Sequence, residues 1–127
     1  MIDHLGFSVP ASKYEEVLAF YSAIFAPLGY SKQKEFPGMA VGFGPSEKSS
    51  PFWIACAKEG EEVAGGIHLA FQAQDHAAVD GFHAEGVKAG GTDNGKPGKR
   101  DYHPNYYAAF IIDPVGNKIE AVDHKAY

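Results

Sequence analysis

The chain performs one pattern twice. A strand, an amphipathic helix and about three short strands run through residues 1–58, and the same order returns through 66–127. His4-Leu5-Gly6-Phe7 aligns with His68-Leu69-Ala70-Phe71 at an offset of 64. Phe20 aligns with Phe82, and Gly29 with Gly91, at an offset of 62. A two-residue difference ahead of the helix reconciles the offsets. A tandem repeat predicts pseudo-twofold symmetry, with the two first strands side by side and His4 facing His68. Residues 59–65 are polar and glycine-containing, and read as the link within one 127-residue domain.

Local patterning supports each unit. In IDHLGFSV (2–9), Leu5, Phe7 and Val9 share one face while Ile2, His4, Gly6 and Ser8 share the other, which places His4 mid-strand. Ser12-Lys13-Tyr14-Glu15 has the capping-box form, with Ser12 as N-cap. From there Tyr14, Val17, Leu18, Tyr21, Ile24, Phe25 and Leu28 form one helical stripe, closed by Pro27 and Gly29. Short strands are expected over 30–36, 39–44 and 51–57. In the second unit GIHLAFQA (66–73) is a strand and Asp75 caps a helix to about residue 89. Gly81 and Gly86 are expected to weaken that helix by ~1 kcal/mol each relative to Ala. Residues 90–105 read as a long loop hiding at most a short strand near 99–102. YYAAFIID (106–113) and KIEAVD (118–123) form a hairpin around Asp113-Pro114-Val115-Gly116-Asn117.

Composition narrows the function. A net charge of −5 argues against a general nucleic-acid surface. No apolar run approaches the ~20 residues of a membrane helix, and the start, Met1-Ile2-Asp3-His4, reads directly into a strand without a signal peptide. The single cysteine, Cys56, forbids an internal disulfide and suits a reducing cytoplasm. Any metal site must then draw on His, Asp and Glu.

Three such residues stand out. His4 and His68 occupy repeat-equivalent positions, which favours a shared role over two unrelated structural histidines. Glu120 lies in the otherwise apolar run Lys118-Ile119-Glu120-Ala121-Val122. A carboxylate there is costly unless paired, metal-bound or on a wet edge. Two imidazoles and one carboxylate form a set that holds a divalent metal and leaves positions open. In Tyr102-His103-Pro104-Asn105-Tyr106-Tyr107, His103 and Tyr107 are the candidate catalytic residues, as proton shuttles. Lys99 and Arg100 could hold an anion, Trp53 could wall a pocket, and His124 is an outside possibility as a ligand.

These segments resemble the vicinal oxygen chelate superfamily, which includes glyoxalase I, extradiol dioxygenases and bleomycin-resistance proteins. The resemblance rests on IDHLGFSV, LAFYSAIFAPLGY, GIHLAF and above all FIIDPVGNKIEAV, and spans nearly the whole chain. It implies an α+β fold of two βαβββ modules forming an open, cup-shaped sheet around a metal. It implies His4, His68 and Glu120 as ligands of Zn, Fe, Mn or Ni, and a small-molecule substrate bound through vicinal oxygens. Glyoxalase I-like members supply a fourth ligand from the fourth strand; here that strand is PFWIACA, where only Cys56 has a donor atom suited to a metal. His, His and Glu on strands one, five and eight are closer to the extradiol dioxygenase pattern.

The expected protein is therefore a metal-dependent small-molecule enzyme, monomeric or homodimeric, without nucleic-acid or membrane partners. The alternatives are a non-catalytic binder of the drug-sequestering type, and an interaction module that has kept only the fold.

Overall fold

The structure, a computed structural model, describes residues 1–63 and 65–127; Ala64, in the expected link, lies outside them. Strand β1 (Leu5–Val9) leads into helix α1 (Tyr14–Phe25), then β2 (Ser31–Phe36), β3 (Ala40–Gly44) and β4 (Phe52–Cys56). The order returns as β5 (His68–Gln72), α2 (His76–Lys88), β6 (Thr92–Lys99), β7 (Tyr107–Ile112) and β8 (Lys118–Asp123). These are the two expected βαβββ modules. Each builds a four-stranded mixed sheet, in the orders β1-β4-β3-β2 and β5-β8-β7-β6, so corresponding strands occupy corresponding places. In both, the first strand runs parallel to the last and the remaining pairs are antiparallel.

One core serves both modules. Leu5, Phe7 and Val9 of β1, Ile54 of β4, Ile111 of β7 and Ile119 of β8 turn towards the same cluster as the two helices. Phe71 of β5 packs edge-on against Phe25 of α1 at 5.0 Å and Phe52 of β4 at 5.4 Å, joining the modules through aromatic contacts. Full burial of each such ring is worth about 1.5–3 kcal/mol. Period-two alternation leaves the other face of each sheet turned away from this core.

Several local expectations are corrected. The first strand begins at Leu5, so His4 stands just ahead of it rather than mid-strand, and His68 opens β5. Ser12 does not cap α1. A 3₁₀ turn over Ala11–Lys13, with Lys13 N donating to the Pro10 carbonyl, already places Ser12 in helical backbone, and no side chain caps the helix that follows. Asp75 does cap α2: its Oδ1 accepts from the Ala78 amide at 2.7 Å. Half of the expected loop over 90–105, Thr92–Lys99, is strand. β6 pairs with β7, and register shifts between Asp93 and Gly95 and between Gly95 and Gly98 break the alternation that would have marked it.

No helix among the described residues is long and apolar enough to cross a membrane.

Candidate functional site

The outward face of the second sheet carries a compact polar cluster in an apolar setting. The register pairs Ala70 with Glu120 and His68 with Lys118 across β5 and β8, and Phe110 with Glu120 across β7 and β8. His68, Phe110, Lys118 and Glu120 therefore share one face. Glu120 is 2% exposed. Its Oε1 lies 3.0 Å from His68 Nε2, and its Oε2 accepts a hydrogen bond from the Tyr106 hydroxyl. The half-exposed His68 ring thus joins a buried carboxylate to solvent.

Tyr106 is brought there by a tight turn. Arg100 N donates to the Tyr106 carbonyl at 2.8 Å, and Asn105 adopts φ 62°, a left-handed conformation that Asn tolerates better than most residues. Burial, followed by the bond to Glu120 and that residue's charge, pushes the Tyr106 hydroxyl up to about 12. It therefore remains a proton donor at neutral pH. His103 stacks beside Tyr106 at 5.9 Å, and His124 meets the same ring edge-on at 5.0 Å. His103 and His124, each named from the sequence, thus border Tyr106.

Tyr107 goes elsewhere. It lies on the core side of β7, donates to Asp80 of α2 at 2.7 Å and stacks on His76 at 3.8 Å. Tyr106, one residue earlier, is the tyrosine beside Glu120; strand alternation from the buried Ile111 and Ala109 was the available signal. The Arg100 guanidinium and the Lys118 ammonium lie over the Phe110 ring, at 5.5 and 4.9 Å from its centroid. Arg100 also donates to the Lys96 carbonyl at 2.7 Å.

His4 stands beside the other sheet, just ahead of β1. Its Nδ1 lies 2.6 Å from Asp3 Oδ1, and it lines an open cleft of about 660 Å³ with Gly6, Lys34, Lys48, Ser50 and Trp53. The cleft contains neither His68 nor Glu120. Among the described residues no three His, Cys, Asp or Glu side chains are grouped so that they could hold a metal ion. One chain therefore joins two members of the expected set and leaves the third apart. Cys56 is partly buried against the core.

The architecture recurs in solved structures. A glyoxalase/bleomycin resistance protein from Albidiferax ferrireducens is 30% identical, with a TM-score of 0.76 over 94% of this chain and 97% of that one. A glyoxalase/bleomycin resistance protein/dioxygenase family enzyme from Burkholderia phytofirmans is 19% identical, with a TM-score of 0.71 over 98% of each chain. A lactoylglutathione lyase from Agrobacterium tumefaciens is 21% identical, with a TM-score of 0.56 over 94% of this chain and 91% of that one; these last two bear on the fold alone. No protein-family profile matches the chain, and no curated protein does. With the 30% identical relative matched over nearly its full length, the chain belongs to the glyoxalase/bleomycin resistance protein/dioxygenase family, within the vicinal oxygen chelate superfamily.

Proposed function

We propose that the protein is a metal-dependent small-molecule enzyme of the glyoxalase/dioxygenase type, in which His68 and Glu120 hold a divalent ion (Zn, Fe, Mn or Ni). The observation that carries this is the pairing of a buried Glu120 oxygen with His68 Nε2 at 3.0 Å. Two donors each about 2.0–2.2 Å from one metal stand about 3 Å apart when they are neighbouring ligands, so the pair fits two positions. The third, His4, lies beside the other sheet with an exposed ring, and on this reading it reaches the pair from a second copy of the chain, giving a homodimer. When bound, the ion supplies Lewis-acid stabilisation of charge on two neighbouring substrate oxygens.

The protein's own groups do the rest. Tyr106 holds Glu120 in place by donating to Oε2, and leaves Oε1 facing His68. His68 Nε2 must be free of its proton to act as a ligand. His103, at the solvent side of Tyr106, is placed to exchange protons with bulk water.

Metal content of the purified protein, measured by elemental analysis after incubation with each ion, tests this. Near-stoichiometric uptake is expected, reduced at least tenfold in affinity in Glu120→Gln, His68→Ala and His4→Ala. Absence of stoichiometric uptake of every ion would overturn it.

A second reading, a metal-free binder of the bleomycin-resistance type, is favoured by the cleft against Trp53 on the first sheet. Ligand capture unaffected by a chelator, in protein that takes up no metal, would favour that reading.

A further inference from the structure

The cleft on the first sheet has a specific construction. Trp53 on β4 sits opposite Gly6 of β1 and Gly42 of β3 in the register, so its indole has a glycine on each side. A Cβ at Gly42 would stand 2.7–2.9 Å from three indole atoms, and one at Gly6 would stand 3.0 Å from the Trp53 Cβ. Gly42 cannot carry a side chain without moving the ring, and at Gly6 a side chain would crowd the Trp53 Cβ and carbonyl. Phe36 of β2 stacks against the indole, with centroids 6.2 Å apart and planes within 26°, and is itself largely exposed. The result is an aromatic shelf laid over glycine.

The surrounding polar groups are mostly cationic or neutral donors. Lys34 and Lys48 line the cleft, and neither forms an ion pair among the described residues. The one acid in the lining, Asp3, is engaged with His4. Two uncommitted lysines in one cleft are a local departure for a chain of net charge −5.

We propose that this cleft binds a planar aromatic anion, its ring stacked on Trp53 and its carboxylate or phenolate set between Lys34 and Lys48. This rests on the reading that the protein binds a small organic molecule, and it names the substrate class. A flat ring uses the shelf, and an anion on its edge uses the lysines. A saturated ring of the same charge would lose the first, and a neutral amide of the same shape the second.

Isothermal titration with 2-naphthoate, 2-naphthamide and cyclohexanecarboxylate tests this. 2-Naphthoate is expected to bind one per chain, at least tenfold more tightly than either analogue. The exposed double variant Lys34→Gln/Lys48→Gln should weaken it about tenfold, and Trp53→Leu should abolish it. Gly42→Ala, which displaces the ring without removing it, should weaken it similarly to the lysine variant. Binding that is equal for all three compounds, or indifferent to the lysine and Gly42 variants, would overturn the proposal. Metal uptake with no naphthoate binding would refute the substrate class while leaving the metal centre standing. Naphthoate binding without metal uptake would do the reverse.

Discussion

Tyr21 of α1 donates its hydroxyl to Asp113 Oδ2 at 2.5 Å, across 92 residues of sequence. Both groups are buried. Asp113 also accepts from the amides of Val115 and Asn117 through Oδ1 and from the Asn117 side chain through Oδ2, which closes the β7–β8 turn. The first module's helix is thus fastened to the second module's hairpin. Burial first, then the Asp113 charge and hydrogen bond, raise the tyrosine hydroxyl well above its ordinary value. Tyr21→Phe removes one bond to a buried carboxylate and should lower unfolding free energy by about 1.5–3 kcal/mol. Urea unfolding should show a lower midpoint with an unchanged slope. A midpoint equal to wild type would show that the bond contributes nothing net.

Gly86→Ala should reverse the usual helix rule. Alanine in a helix interior is ordinarily favoured over glycine by about 1 kcal/mol. At this position the new Cβ would lie 2.1 Å from Ile111 Cδ1 and 3.1 Å from Ile24 Cγ2. Overpacking of this kind typically costs about 1–3 kcal/mol. A lower melting temperature is expected, and a higher one would mean that β7 yields without strain.

Tyr106 should be among the last tyrosines to ionise. Its folded value, about 12, lies above the ordinary 10.0. A group whose folded value is raised contributes stability in full below the unfolded value and loses it as pH climbs towards the folded one. The window here runs from pH 10 to about 12. Tyrosinate absorbance, wild type minus Tyr106→Phe, should trace one group titrating near the top of that window. A difference curve centred near 10 would contradict the buried contact with Glu120.

Acid should loosen the C-terminal tail. Burial alone would raise the Asp123 carboxyl, but hydrogen bonds from the Tyr127 hydroxyl at 2.6 Å and the Lys125 amide at 2.9 Å, with His76 nearby, leave it below the usual 3.8. The resulting stability is present above that value and is lost as pH falls through the lower, folded one. Tyr127→Phe should therefore melt earlier than wild type at pH 6, with the gap shrinking steadily below about pH 4. A gap that stays constant down to pH 2 would remove Asp123 from the explanation.

The parts of the fold legible in the sequence were those where local chemistry and tertiary structure agree. The stripe from Tyr14 to Phe25 is a helix because its apolar spacing matches the face it buries, and Leu28 follows it in a 3₁₀ turn. The turn from Asp113 to Asn117 is held by the Asp side chain that marked it. β6 escaped because its strand character comes from pairing with β7, while its own residues, Thr-Asp-Asn-Gly-Lys-Pro-Gly-Lys, favour turns. At the site, the union of His68 with Glu120 followed from the repeat and from a carboxylate in an apolar strand. Tyr106 and Tyr107 are adjacent and chemically identical, and only strand phase separates them. The glycine floor under Trp53 was illegible because cross-strand register depends on the whole sheet.

The shared core also decides what the duplication can become. With Phe71 of the second module wedged against Phe25 and Phe52 of the first, neither half encloses its own apolar surface. The two copies are recognisable as repeats yet no longer interchangeable as parts. A lone half-chain would present those rings to water and would tend to associate through them, so shortening the protein to a single module removes the folding unit itself.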